Sequence, residues 1–169
     1  MYMSDLFKYD SLQEFFSIYQ KAVLNFLNQY DLDISELVPD HLGALTHNSE
    51  EFESVTTILL SHSQMIKEIQ LNNRRVRVFK LNHPLLGDFT IPKIEIFEPK
   101  PESDLAKLRY GIEHISFTVK NFDNFASAVV NILPIAKQGQ VGTSKFMKTE
   151  IINTVEIEFR SDSLGEEYA

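Results

Sequence analysis

The chain has 169 residues, 43% of them hydrophobic and 24% charged, which suits one compact domain or two small fused modules. Its 24 acids and 16 bases leave a formal net charge of −8, which argues against general nucleic-acid binding because phosphate contact needs a basic surface. The absence of cysteine excludes disulfides, thiolate metal sites and cysteine catalysis. The N-terminal stretch has early acids and no apolar run, and no segment approaches the ~20 apolar residues of a membrane span, so a cytoplasmic setting is expected.

Ser11-Leu12-Gln13-Glu14 has the spacing of a capping box and predicts a helix opening at Ser11 and reaching about Gln29. Phe15, Ile18, Ala22 and Phe26 give it an apolar stripe. A connector ending in Pro39-Asp40 leads to a strand over His41–Thr46. Asn48-Ser49-Glu50-Glu51 signals the next helix start, which Ser61-His62-Ser63 ends. Gln64–Leu71 and Arg74–Leu81 read as a hairpin around Asn72-Asn73, since asparagine tolerates left-handed backbone angles. After a loop over 82–88, another strand lies within Phe89–Phe97. The polar, proline-bearing stretch from Glu98 to about Tyr110 separates two halves.

The second half repeats the order. Gly111–Val119 is a strand, Phe125 to Ile132 a short helix stopped by Pro134, Ile135–Val141 and Lys145–Ile152 a hairpin, and Thr154–Arg160 the last strand. The tail from Ser161 is acidic and expected to fray. The fold class read from this order is α+β: two βαβββ units forming a curved mixed sheet around a cavity, with an extra N-terminal helix. Residues 1–38 are the helical extension. Residues 39–169 form the main domain, with units over 39–98 and 111–160.

Strand parity places the chemistry. His41 shares a side with Gly43 and Leu45; Lys93 and Glu95 oppose Ile94 and Ile96; His114, Ser116 and Thr118 oppose Ile115 and Phe117; Glu156, Glu158 and Arg160 oppose Ile157 and Phe159. The four polar sides supply His, Glu, His and Glu, at similar spacing in each half. Two imidazoles and two carboxylates suit a divalent Zn, Ni, Mn or Fe(II), with room left for water or substrate. Glu156 shares the face of Glu158, so a change of register exchanges the two. A set of only His41, Glu95 and His114 is equally sensible chemically. Asp40 and Glu113 flank the histidines and are candidates to orient their rings as hydrogen-bond acceptors, but the same parity turns both away from the site; His47, His62 and His83 fall at element ends or in loops, as surface residues.

These pieces resemble the vicinal oxygen chelate superfamily, the glyoxalase, bleomycin resistance and extradiol dioxygenase fold, and within it the YecM-like proteins. The matching pieces are Leu32-Asp33-Ile34 with Asp40-His41, Arg77-Val78-Phe79-Lys80-Leu81, Ile94-Glu95-Ile96 and Glu113-His114-Ile115. The resemblance implies His41, Glu95 and His114 as metal ligands and Glu158 as the fourth position. It implies metal-dependent isomerase, lyase or dioxygenase chemistry on a small oxygenated molecule, with Glu158 as the catalytic base. Arg77 and Lys93 are the candidate substrate contacts. A non-catalytic protein that binds or sequesters a small molecule is the alternative, and either a monomer or a homodimer fits.

Overall fold

The computed structural model describes residues 3–108, 110–150 and 156–165. Two helices, α1 (Met3–Leu6) and α2 (Tyr9–Gln29), precede the first unit: β1 (Leu37–Leu45), α3 (Ser49–Leu60), β2 (Ser63–Leu71), β3 (Arg74–Leu85) and β4 (Ile91–Phe97). The second unit is β5 (Gly111–Val119), α4 (Phe122–Val129), β6 (Ile135–Val141), β7 (Ser144–Thr149) and β8 (Glu156–Arg160). Together the strands form one curved, open sheet in the order β2-β3-β4-β1-β5-β8-β7-β6. β1–β4 and β5–β8 are parallel, β1–β5 is antiparallel and joins the units, and the outer pairs are antiparallel hairpins. The expected pair of βαβββ units is therefore present.

Local chemistry explains most boundaries. The Asn48 side chain accepts the Glu51 N–H and caps α3, while the Glu51 carboxylate takes the His47 N–H. Asn72 and Asn73 both adopt positive φ, 51° and 60°, and close the β2–β3 hairpin as a two-residue turn. The capping box at Ser11 does not form. Helical bonding begins earlier, with the Leu12 N–H on the Lys8 carbonyl, because Phe7 is fully buried and pins the chain one turn upstream. β3 continues past Leu81 and pairs Leu85 with Ile91, so the expected loop is shorter. The ends expected for the last two strands, at Ile152 and Thr154, lie outside the described residues.

One face of the sheet meets the helices. Leu42, Phe79, Ile94, Ile96, Ile115 and Phe159 pack there with Phe16 and Phe26 of α2 and Phe52, Val55 and Leu59 of α3, in one continuous apolar core. The N-terminal helix is thus part of the core that supports the sheet. A smaller apolar group, Leu45, Val76 and Phe97, lies apart from it, and Val76 and Phe97 line a hollow bounded by the two outer hairpins.

Candidate metal centre

The two central strands carry the histidines in a symmetric frame. Across the β1–β5 ladder His41 faces Ser116, Leu42 faces Ile115 and Gly43 faces His114. Exchanging the units about the Leu42–Ile115 pair converts His41 into His114 and Gly43 into Ser116. The parallel neighbours obey the same relation: Gly43 sits beside Glu95, and Ser116 beside Glu158. Glu158 is therefore the register equivalent of Glu95. Glu156, beside His114, is the equivalent of Lys93 beside His41.

The side chains converge. His41 Nε2 and His114 Nε2 are 3.2 Å apart. Glu95 Oε2 lies 3.7 Å from the first and 3.6 Å from the second, and Glu158 Oε2 lies 3.6 Å from both. His41, Glu95 and His114 each offer a ligand atom within 4.8 Å of the others and can hold a metal ion. Two donors each about 2.1 Å from one ion stand about 3.0 Å apart at a right angle and about 3.4 Å apart at the tetrahedral angle. The observed separations lie close to that range. Glu158 Oε2 is buried and has no hydrogen-bond partner, which a cation between the four side chains would supply. Gly43 makes room for one ligand, since a Cβ there would come within 2.0 Å of His114 Cε1. Donors, spacing and orphaned oxygen all fit a divalent ion.

Electrostatics prepares the same atoms. Burial, reinforced by Lys148, pushes His114 well below its usual pKa and leaves its ring neutral, as a ligand must be. Burial raises Glu95, and the neighbouring Glu158 adds to the rise against the pull of His41. For Glu158 burial acts upward too, but the neighbouring cations, Lys148 first and Arg160 with it, help to outweigh it and hold the carboxyl well below its ordinary range. The two carboxyls thus differ although their backbone positions are equivalent.

The backing of the two histidines differs as well. His41 Nδ1 bonds Asp40 Oδ2 at 2.8 Å, which leaves Nε2 as the free lone pair, the carboxylate–histidine arrangement typical of metal ligands. Asp40 is buried and also bonds Lys93 Nζ at 3.0 Å, Ser163 Oγ, and the Leu164 N–H at 2.9 Å. The expectation that Asp40 and Glu113 face away fails for both. Each is the extra residue of a β-bulge, at Pro39/His41 and at Gly43/Ala44, which breaks the two-residue alternation. Glu113 accordingly lines the hollow. The tail does not fray through 161–165: Leu164 is buried and its N–H is spent on Asp40.

The substrate contacts expected at Arg77 and Lys93 fall elsewhere. Arg77 lies on the helix side of β3, over the Phe52 ring, bonded to Glu53, Glu68 and Thr56. Parity placed it there, because Arg74 and Val76 take the cavity side. Lys93 is committed to Asp40, Ser163 and the Leu164 carbonyl. The cations lining the hollow of about 490 Å³ are instead Arg74, Lys137, Lys148 and Arg160. Lys148 Nζ sits 3.3 Å from His114 Nδ1 and 3.6 Å from Glu158 Oε1. Glu156 lies 3.9 Å from Lys148, so it meets a lysine where Glu158 meets the histidines. His47 stacks on Tyr110 at the surface, and His62 and His83 flank Tyr9. In sequence only Pro39 hinted at the bulge, since a proline inside a central strand needs one.

Comparison with known proteins agrees with this architecture. The model of the YecM protein family matches residues 8–166. The chain belongs to the YecM family. Among solved structures it is similar to a structural-genomics protein, EC4020, at 19% identity and a TM-score of 0.68, over 87% of this chain and 84% of that one. It is also similar to a methylmalonyl-CoA epimerase solved with methylmalonyl-CoA and NH4+ (17% identity, TM-score 0.54, 76% and 96% covered). The Mycobacterium tuberculosis methylmalonyl-CoA epimerase is alike as well (15% identity, TM-score 0.53, 78% and 92% covered). At these identities the likeness establishes the fold, that of the vicinal oxygen chelate superfamily. No curated protein matches the chain. Among the described residues no helix is long and apolar enough to cross a membrane.

Proposed function

We propose that this YecM-family chain is a divalent-metal enzyme acting on a small oxygenated molecule, with His41, Glu95, His114 and Glu158 as the ligand set. The observation that carries the reading is the convergence of two buried imidazole Nε2 atoms and two carboxylates on one point, one carboxylate oxygen being buried without a partner. An ion held there supplies Lewis acidity toward substrate oxygens. The chain's own groups supply the rest. Asp40 fixes the tautomer of His41, and a carboxylate of the pair takes a substrate proton: Glu158 is the base the sequence points to, while burial raises Glu95 toward the range in which a carboxylate accepts a proton. Isomerase or lyase chemistry fits that pairing of an electrophile with a base. Small-molecule ligands of the methylmalonyl-CoA kind, named for the epimerases, support a substrate with vicinal or 1,3-related oxygens.

The test is a metal-loaded activity screen paired with elemental analysis. One divalent ion per chain is expected, lost in His114→Ala, with product formed in an isomerase or lyase assay and abolished in Glu158→Gln. Saturable ligand binding with no turnover in isomerase, lyase and dioxygenase assays would make the protein a binding or sequestering module. A folded wild-type chain that binds no divalent ion contradicts the reading altogether.

A further inference from the structure

We propose that the cavity is built for an anionic substrate, an oxygenated carboxylate whose metal-facing oxygens reach the His/Glu quartet while Arg74 and Lys148 receive its carboxylate group. This rests on the metal-centre reading and adds the substrate's charge class. The chain as a whole is acidic, at −8, yet the hollow is not. If Glu95 and Glu158 neutralise a divalent ion, the other charged groups lining it are Glu113 and Glu156 against Arg74, Lys137, Lys148 and Arg160. Two positive charges are then in excess, inside a cleft whose low-dielectric walls strengthen their field.

The four cations are not equivalent. Arg160 is engaged with Ser144 Oγ at 3.0 Å and stands 3.8 Å from Glu158 Oε2, so it serves the quartet. Lys137 lies over the Phe146 ring on an exposed edge strand. Arg74 and Lys148 remain. The Arg74 guanidinium is stacked 4.3 Å over Phe97, a wall of the hollow, and its buried Nε–H has no partner. It makes a long hydrogen bond, 3.4 Å from Nη1 to the Glu98 carbonyl, and faces the charges of Glu95 and Glu113 without a close bond to either. An arginine flattened on an aromatic ring with an unspent donor is preorganised for a carboxylate.

Lys148 points to the same occupant. Within hydrogen-bond reach its ammonium has His114 Nδ1, at 3.3 Å. A neutral His114 that offers its Nε2 lone pair to an ion carries its hydrogen on Nδ1, and an ammonium has only donors to set against it. In the metal-loaded centre Lys148 therefore turns from the ring toward the hollow, where Glu158 Oε1 at 3.6 Å and Glu156 Oε2 at 3.9 Å stand beyond hydrogen-bond reach and an incoming anion supplies the acceptor. The equivalent nitrogen of His41 has the Asp40 carboxylate instead, so this displacement belongs to the second unit alone.

The experiment uses two probes that chelate a metal through the same pair of oxygens: acetohydroxamate, and the hydroxamate of succinic acid, which carries a carboxylate tail. Zn2+ binding to the full chain is titrated first, and each probe is then titrated into the Zn2+-loaded protein by calorimetry. The quantity read is the ratio of the two affinities within each variant, so changes in metal loading cancel. The tailed probe is expected to bind wild type about tenfold or more tightly than the neutral one, the scale of one charge-assisted contact. That advantage shrinks in Arg74→Met and in Lys148→Met and vanishes in the double variant. Zn2+ binding with equal affinities for the two probes, or an advantage that survives in the double variant, overturns the anion anchor and leaves the metal centre standing. Failure of Zn2+ to bind overturns both.

Discussion

The two halves share a frame and differ in what stands behind each histidine. His41 is braced by a carboxylate that is itself held by Lys93 and by the chain's last described turn at Ser163 and Leu164. His114 is braced by the absence of a side chain at Gly43 and faced by a lysine. One half thus offers an imidazole braced by a carboxylate, and the other an imidazole beside a lysine that lines the hollow. A duplicated scaffold becomes a directional site when the second layer of contacts is not duplicated.

The comparison can be broken in order of expected effect. His41→Ala and His114→Ala remove a nitrogen donor each, and both are expected to abolish stable metal retention in dialysis followed by elemental analysis. Gly43→Ala comes next, because its Cβ collides with the His114 ring. Loss of metal binding with about 1–3 kcal/mol of destabilisation in chemical denaturation is expected, whereas Ala at the equivalent Ser116 should spare the ion. Asp40→Asn leaves His41 in place but upsets its tautomer, and a fall of about 10- to 100-fold in metal affinity is expected by competition with a chelator. Ending the chain after Asp162 deletes the Ser163 and Leu164 contacts to Asp40, and should weaken metal binding less than Asp40→Asn does while leaving the His114 side unaffected.

The smallest effect lies outside the site. Glu98 bonds Arg75 and is held down to about 2 from an ordinary 4.5. A depressed carboxyl stabilises the fold above its unfolded pKa and loses that contribution as pH falls through its folded one. Glu98→Gln should therefore reduce stability by about 1 kcal/mol or less near neutrality, with the difference from wild type closing between about pH 4.5 and 2.

Much of this molecule was legible in the sequence because its rules are local. Alternation put His41, Glu95, His114 and Glu158 on polar strand faces, and the βαβββ order brought those faces together. The Asn72-Asn73 turn and the Asn48 cap followed from side-chain chemistry within a few residues. What stayed hidden depends on distant partners or on broken alternation. Asp40 reaches Ser163 and Leu164 across more than a hundred residues, and no pattern near Asp40 announces them. The bulges at Asp40 and Glu113 defeat parity, and the choice between Arg74 and Arg77 for the cavity turns on which face of β3 meets Phe52. Phe7 displaced the Ser11 cap because burying a ring outweighs one hydrogen bond at a solvated helix end.

X-ray absorption on the Zn2+-loaded full chain addresses the ligand set most directly. The structure predicts one ion per chain with two imidazole nitrogens and carboxylate oxygens about 2.0–2.2 Å away, and the imidazole signal reduced to one ring in His41→Ala or His114→Ala wherever metal can still be loaded. A bound ion with no imidazole, or a spectrum identical in wild type and both histidine variants, would contradict it.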